Sequence, residues 1–113
     1  MSTIRTIEEN KYLDNWTVKH SADNATATAT KAASAGATHF ITSVSAGFST
    51  AATKLLQIKD GATVIVEYPV VNADVIALPA PIKATTGNAV SAVLAASGGA
   101  GNVGYVNLFG FTI

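Results

Sequence analysis

Lys54-Leu55-Leu56-Gln57-Ile58-Lys59-Asp60-Gly61-Ala62-Thr63-Val64-Ile65-Val66-Glu67-Tyr68 decides the fold class. Two runs of strand-forming residues flank Asp60-Gly61, a pair suited to the positive φ angles of a two-residue hairpin turn. Such a turn sets the register. Leu56 faces Ile65, Leu55 faces Val66, and Lys54 faces Glu67 as a favourable cross-strand charge pair. The stretch predicts an antiparallel hairpin over 54–59 and 62–68.

Downstream, Asp74 to Leu78 reads as a short strand, bounded by Pro69 before it and by Pro79 and Pro81 after it. Proline belongs at strand ends or on sheet edges, where its missing N–H costs nothing. Ile82 to Ala84, the turn Thr85-Thr86-Gly87-Asn88 and Ala89 to Ala96 predict a second hairpin. Ser97 to Asn102 is a glycine-rich loop into a last strand, Val103 to Ile113.

Upstream, Phe40, Thr42, Val44, Ala46 and Phe48 share one face of a strand, with His39, Ile41, Ser43 and Ser45 on the other. Ala25 to Thr30 alternates alanine with β-branched threonine and predicts a slender edge strand. Ser49 to Leu55 reads alternatively as a helical turn. About eight strands at this spacing predict an all-β antiparallel sandwich, jelly-roll-like, over residues 21–113.

Residues 1–20 differ in character. They hold six of the fourteen charged residues and the only tryptophan, and they predict an N-terminal arm ahead of the sandwich. Thr6-Ile7-Glu8-Glu9 has capping-box spacing, which allows a short helix over Ile7 to Leu13. Tyr12, Leu13 and Trp16 are costly to leave in water, at roughly 1.5–3 kcal/mol for a fully buried apolar side chain. They either fold back over their own domain or anchor the arm to a neighbour.

The last strand carries Val103, Tyr105, Asn107, Phe109 and Phe111 on one face, and Gly104, Val106, Leu108 and Gly110 on the other. A strand wetted on one side should alternate apolar and polar residues, and this one is largely apolar on both. One face lines the core. The other calls for a cover, from the arm or from another subunit. Tyr12, Leu13, Trp16, Tyr105, Phe109 and Phe111 are therefore the expected contacts with another subunit or a partner.

Composition narrows the function classes. The formal net charge is zero and only 12% of the 113 residues are charged. Nucleic-acid binding needs clustered positive charge, and no cluster is present. A neutral chain has little self-repulsion to keep copies apart. Without cysteine there are no disulfides and no thiolate metal sites. No apolar run is long enough to predict a membrane span, and the first twenty residues contain no signal-peptide h-region. Asn15-Trp16-Thr17 and Asn24-Ala25-Thr26 match the glycosylation acceptor pattern, which carries little weight without a secretion signal.

Catalytic and cofactor motifs fail on context. Gly99-Ala100-Gly101-Asn102-Val103-Gly104 has dinucleotide-fingerprint spacing, but that motif opens a helix and this one opens a strand. His20 and His39 lie outside metal-ligand spacing. His39 shares its predicted face with Ser43 and Ser45, yet no orienting acid or oxyanion-hole signature accompanies them. Asp60 is explained by its turn and Glu67 by its cross-strand partner. The reading is of a non-enzyme with no cofactor and no metal.

Ser21 to Ala33, Ile41-Thr42-Ser43-Val44-Ser45-Ala46-Gly47-Phe48, Leu56-Gln57-Ile58-Lys59-Asp60-Gly61, Gly87 to Gly98 and the Leu108-Phe109-Gly110-Phe111 ending follow one another in a characteristic order. In this the chain resembles the small β-sandwich head decoration (cement) proteins of tailed bacteriophages. The resemblance spans residues 21–113 and implies a structural virion protein. Such a protein is a homotrimer assembled in the host cytoplasm that binds the major capsid protein on the capsid exterior and reinforces it. It carries over no catalytic residue. The rival expectation is a receptor- or carbohydrate-binding module of a tail fibre or spike, with Tyr68, or Tyr105 beside Asn107, as an aromatic platform.

Overall fold

The computed structural model describes residues 15–113. Tyr12, Leu13 and the helix expected over Ile7 to Leu13 lie outside them. Eight strands follow in chain order: β1 (Asn15–Asp23), β2 (Ala27–Lys31), β3 (His39–Phe48), β4 (Thr53–Asp60), β5 (Thr63–Val71), β6 (Ala73–Lys83), β7 (Val90–Leu94) and β8 (Val103–Thr112). They form two antiparallel four-stranded sheets, ordered β1-β8-β3-β6 and β2-β7-β4-β5. Apart from the β4–β5 hairpin, every connection crosses from one sheet to the other. This is the jelly-roll arrangement.

The core lies between the sheets. Ala27 and Ala29 of β2, Leu56 and Ile58 of β4, and Val90 and Leu94 of β7 face Ile41 and Val44 of β3 and Val106 and Leu108 of β8, all buried. Burial of each Val, Leu or Ile stabilises the fold by roughly 1.5–3 kcal/mol. The alanines on β2 hold that edge strand close to its neighbours. Every buried side-chain nitrogen or oxygen among the described residues has a hydrogen-bond partner.

Four expectations are corrected. First, β1 begins at Asn15, inside the span read as arm, and pairs with β8 along its whole length, from Asn15 opposite Phe111 to Asp23 opposite Val103. Trp16, Val18 and Ala22 point inward and pack against the core. Second, the β4–β5 turn is Gly61-Ala62, since Asp60 pairs with Thr63, and an extra residue, Ile65, shifts the register. Gln57, not Lys54, faces Glu67, and its Nε2 donates to Glu67 Oε2 at 3.0 Å.

Third, β6 runs through Pro79 and Pro81. Its pairing with β3 stops at Ala77 and resumes at Ile82, so both prolines fall in an unpaired stretch of an edge strand, where no N–H is needed. Ile82 to Ala84 therefore does not form a hairpin with β7. The Thr85–Asn88 turn is present, with Asn88 N–H donating to Thr85 O at 3.0 Å, but it leads from one sheet to the other. Fourth, Thr42 is an extra residue on β3 opposite β8, and it exchanges the two faces of the strand there. His39 and Ile41 point inward with Val44 and Ala46, while Phe40, Ser43 and Ser45 point outward. The helical turn over 49–55 is absent, since β4 starts at Thr53.

The two sides of the sandwich differ. On one, β1 and β2 lie alongside each other, and Thr28 N–H donates to His20 Nδ1 at 3.1 Å. On the other, β5 and β6 are the edge strands of their sheets among the described residues.

Candidate functional site

The inner face of β8 is fully spent on the core, since Val106 and Leu108 are buried against the opposite sheet. Its outer face meets three neighbours in rows: Lys19–Asn107–Ser45–Val75, Ser21–Tyr105–Gly47–Ala73 and Thr17–Phe109–Ser43–Ala77. Phe111 is only 1% exposed. Its ring stacks on Phe40, with centroids 4.8 Å apart and planes 2° from parallel. Phe109 is half-buried and Tyr105 remains 48% exposed. The cover expected for this face is thus found within the protomer for Phe111, and Tyr105 alone stands well clear of it.

Trp16, expected at a subunit or capsid contact, packs inside its own protomer. Its ring lies over Gly110, and its Nε1–H donates to Thr112 Oγ1 at 2.9 Å. His39 is set edge-on to the same ring, with centroids 5.8 Å apart. His39 Nε2 lies 2.8 Å from Ala32 O, which can only accept, so Nε2 carries a proton. In the neutral ring Nδ1 then accepts from the Thr112 hydroxyl at 2.7 Å. His39 is a structural core residue, on the opposite face of β3 from Ser43 and Ser45, and no Ser–His pair forms.

The glycine-rich loop has its polar groups engaged internally. Gly101 N–H donates to Asp23 Oδ1 at 2.8 Å, the Ser97 hydroxyl donates to Asn102 O at 2.8 Å, and Asn24 N–H donates to the same oxygen at 3.1 Å. The Gly101 amide is thus occupied by the Asp23 carboxylate. Asn102 Oδ1 accepts from Thr50 N–H at 2.9 Å, fixing the β3–β4 connection as well. Among the described residues no three His, Cys, Asp or Glu gather to hold a metal ion.

Asp60 fastens the crossing between β6 and β7. Its Oδ2 accepts from the Thr85 amide at 3.0 Å and the Thr85 hydroxyl at 2.8 Å, and Oδ1 accepts from Asn88 Nδ2 at 3.0 Å. Partial burial works to raise its carboxyl, but the bonds from Asn88 and Thr85 outweigh that and hold it below its ordinary value. The turn residue singled out in the sequence thus also ties the β4–β5 turn to the next crossing.

Two surfaces remain for function. The first is the β4–β5 hairpin at the edge of its sheet: Leu55, Val64, Ile65, Tyr68 and Val71 are five of the eight exposed large apolar side chains among the described residues. Sequence reasoning missed this concentration. The signal was present in Val64-Ile65-Val66 and in Val70-Val71, apolar on both faces as in the last strand. The second is Tyr105, whose ring stands between two troughs on the outer face of the β1-β8-β3-β6 sheet. One, of about 320 Å³, is bordered by Ser45, Gly47, Val75 and Asn107; the other, of about 330 Å³, by Lys19, Ser21 and Asn107. Tyr68 faces Leu56 across the hairpin.

No family model matches the chain, and no curated protein matches it either.

Proposed function

We propose that the protein is a head decoration (cement) protein of a tailed bacteriophage, a non-enzymatic virion component that associates with itself and binds the major capsid protein on the capsid exterior. The observation that carries this reading is the apolar β4–β5 hairpin. Four of its five exposed side chains, Val64, Ile65, Tyr68 and Val71, lie on the edge strand β5 and the fifth, Leu55, on β4 beside it, while Glu67 among them is engaged by Gln57. Zero net charge favours the same outcome, since copies of the chain do not repel one another. The resemblance of residues 21–113 supplies the trimer and the capsid partner, and jelly rolls recur in capsid domains, an association of fold and not of site.

Association works through side chains more than through strand pairing. Pro69 on β5 interrupts the row of edge donors, which guards against open-ended sheet growth. Light scattering at rising concentration, followed by addition to capsids lacking the protein, tests the reading. A discrete oligomer that binds those capsids is expected. A chain that stays monomeric at high concentration and ignores the capsids would defeat it.

A further inference from the structure

We infer that Tyr105 is the platform of a saccharide-binding site on the outer face of the β1-β8-β3-β6 sheet. This surface lies on the opposite sheet from the β4–β5 hairpin and does not depend on the decoration reading. A pyranose ring offers an apolar face of C–H groups and a rim of hydroxyls, each able to donate and to accept. The ligand therefore needs an exposed aromatic ring beside polar groups of both kinds. Tyr105 supplies the ring, half-exposed and rising between two depressions.

The polar rim is in place beside it. Asn107 Nδ2 donates to Ser45 Oγ at 3.1 Å, which fixes the amide and leaves Asn107 Oδ1 turned to accept and the Ser45 hydroxyl hydrogen to donate. Lys19, opposite Asn107 on β1, adds a charged donor on the far side of the ring. Depth is kept by small residues. Gly47 lies directly opposite Tyr105 on β3, and a Cβ there would stand 3.0 Å from the Cβ of Ala73. Any larger side chain at position 47 would fill the trough floor. Val75, 77% exposed, forms the outer wall.

Other ligand classes fit less well. A nucleic acid would call for several cations around the aromatic ring, and among the described residues Lys19 is the one lysine bordering the troughs. An apolar peptide anchor would call for a deeper cavity than these shallow depressions provide.

The test uses the full chain, fluorescently labelled, on a printed array of mammalian and bacterial surface glycans, followed by titration of the free saccharide. Reproducible hits are expected. Tyr105→Ala should weaken them about tenfold or more, the scale of one aromatic contact. Tyr105→Phe should retain affinity within about twofold, because stacking needs the ring and not the hydroxyl. Circular dichroism should show unchanged β content in both variants. An array with no hit above background, hits that survive Tyr105→Ala, or equal loss in Tyr105→Phe would overturn the site. Val64→Lys, at the turn end of the hairpin and bordering neither trough, should leave glycan binding intact whatever it does to assembly, so failure of the decoration reading is seen separately.

Discussion

The indole Nε1–H of Trp16 donates to Oγ1 of Thr112 at 2.9 Å, joining β1 to β8 across 96 residues of chain. The same hydroxyl serves His39, so an outer strand, a central strand and the core histidine are held at one point. Trp16→Ala removes the bond and uncovers Gly110. It is expected to cost about 2–4 kcal/mol, somewhat below a fully buried tryptophan, because the ring is only half-buried. Urea unfolding of the isolated protein measures this. An unchanged midpoint would show that Trp16 contributes nothing within its own protomer.

His39 is expected to carry its proton on Nε2 with Nδ1 accepting from Thr112, as Ala32 O dictates. Long-range ¹⁵N–¹H correlation spectra near pH 7.5 distinguish the two tautomers directly. His39→Leu leaves the Ala32 carbonyl and the Thr112 hydroxyl short of a partner and should destabilise by about 2–3 kcal/mol.

Gly110→Ala tests close approach. A Cβ at this position meets Phe40 O and falls 2.6 Å from Cζ2 of Trp16. The backbone oxygen belongs to a paired strand and cannot give way. A loss of about 3 kcal/mol is expected, the upper part of the range for overpacking. Gly87→Ala is the contrast. There a Cβ meets nothing within 4 Å, and the cost comes only from the +85° φ.

Asp60 predicts a pH dependence of known sign. Its carboxyl is held below its ordinary value in the folded chain, so its contribution is full above the unfolded value of about 3.9 and fades as pH falls through the lower, folded value. Asp60→Asn should therefore lower stability near neutral pH by about 1 kcal/mol, the scale of partly exposed hydrogen bonds to a charge. The gap to wild type should close in acid. Paired urea titrations at about pH 7 and about pH 3 check it. A gap that widened in acid would contradict the assignment.

For assembly, Val64→Lys with Val71→Lys places two charges on the exposed hairpin. Both sites are surface positions, so the melting temperature should hold while the oligomer dissociates in light scattering. An unaffected oligomer would move the association surface elsewhere.

The sequence reading reached the jelly-roll class because its signals were local: a turn pair in the middle, alternation on β2, β3 and β8, and prolines at edges. It slipped where a single residue changed the count. Thr42 and Ile65 are each one residue too many for their partners, and alternation alone carries no record of what lies opposite. The first part of β1 falls in the expected arm because residues 1–20 concentrate six of the fourteen charges. Its Trp16-Thr17-Val18 alternation was visible, but only the pairing with β8 turns Trp16 inward. Tyr105 and Asn107 were legible as neighbours on one face. The troughs beside them were not, since they depend on Gly47 and Ala73 arriving from two other strands.

The strand order carries a consequence for how the molecule is made. β8 lies between β1 and β3, so a growing chain that has emerged only as far as β7 leaves β1 with no sheet partner and that sheet reduced to β3 and β6. Its half-made apolar interior faces water until synthesis delivers the central strand. Folding should accordingly be late and slow, dominated by contacts far apart in sequence, and the nascent chain should be most open to chaperones and aggregation just before β8 appears.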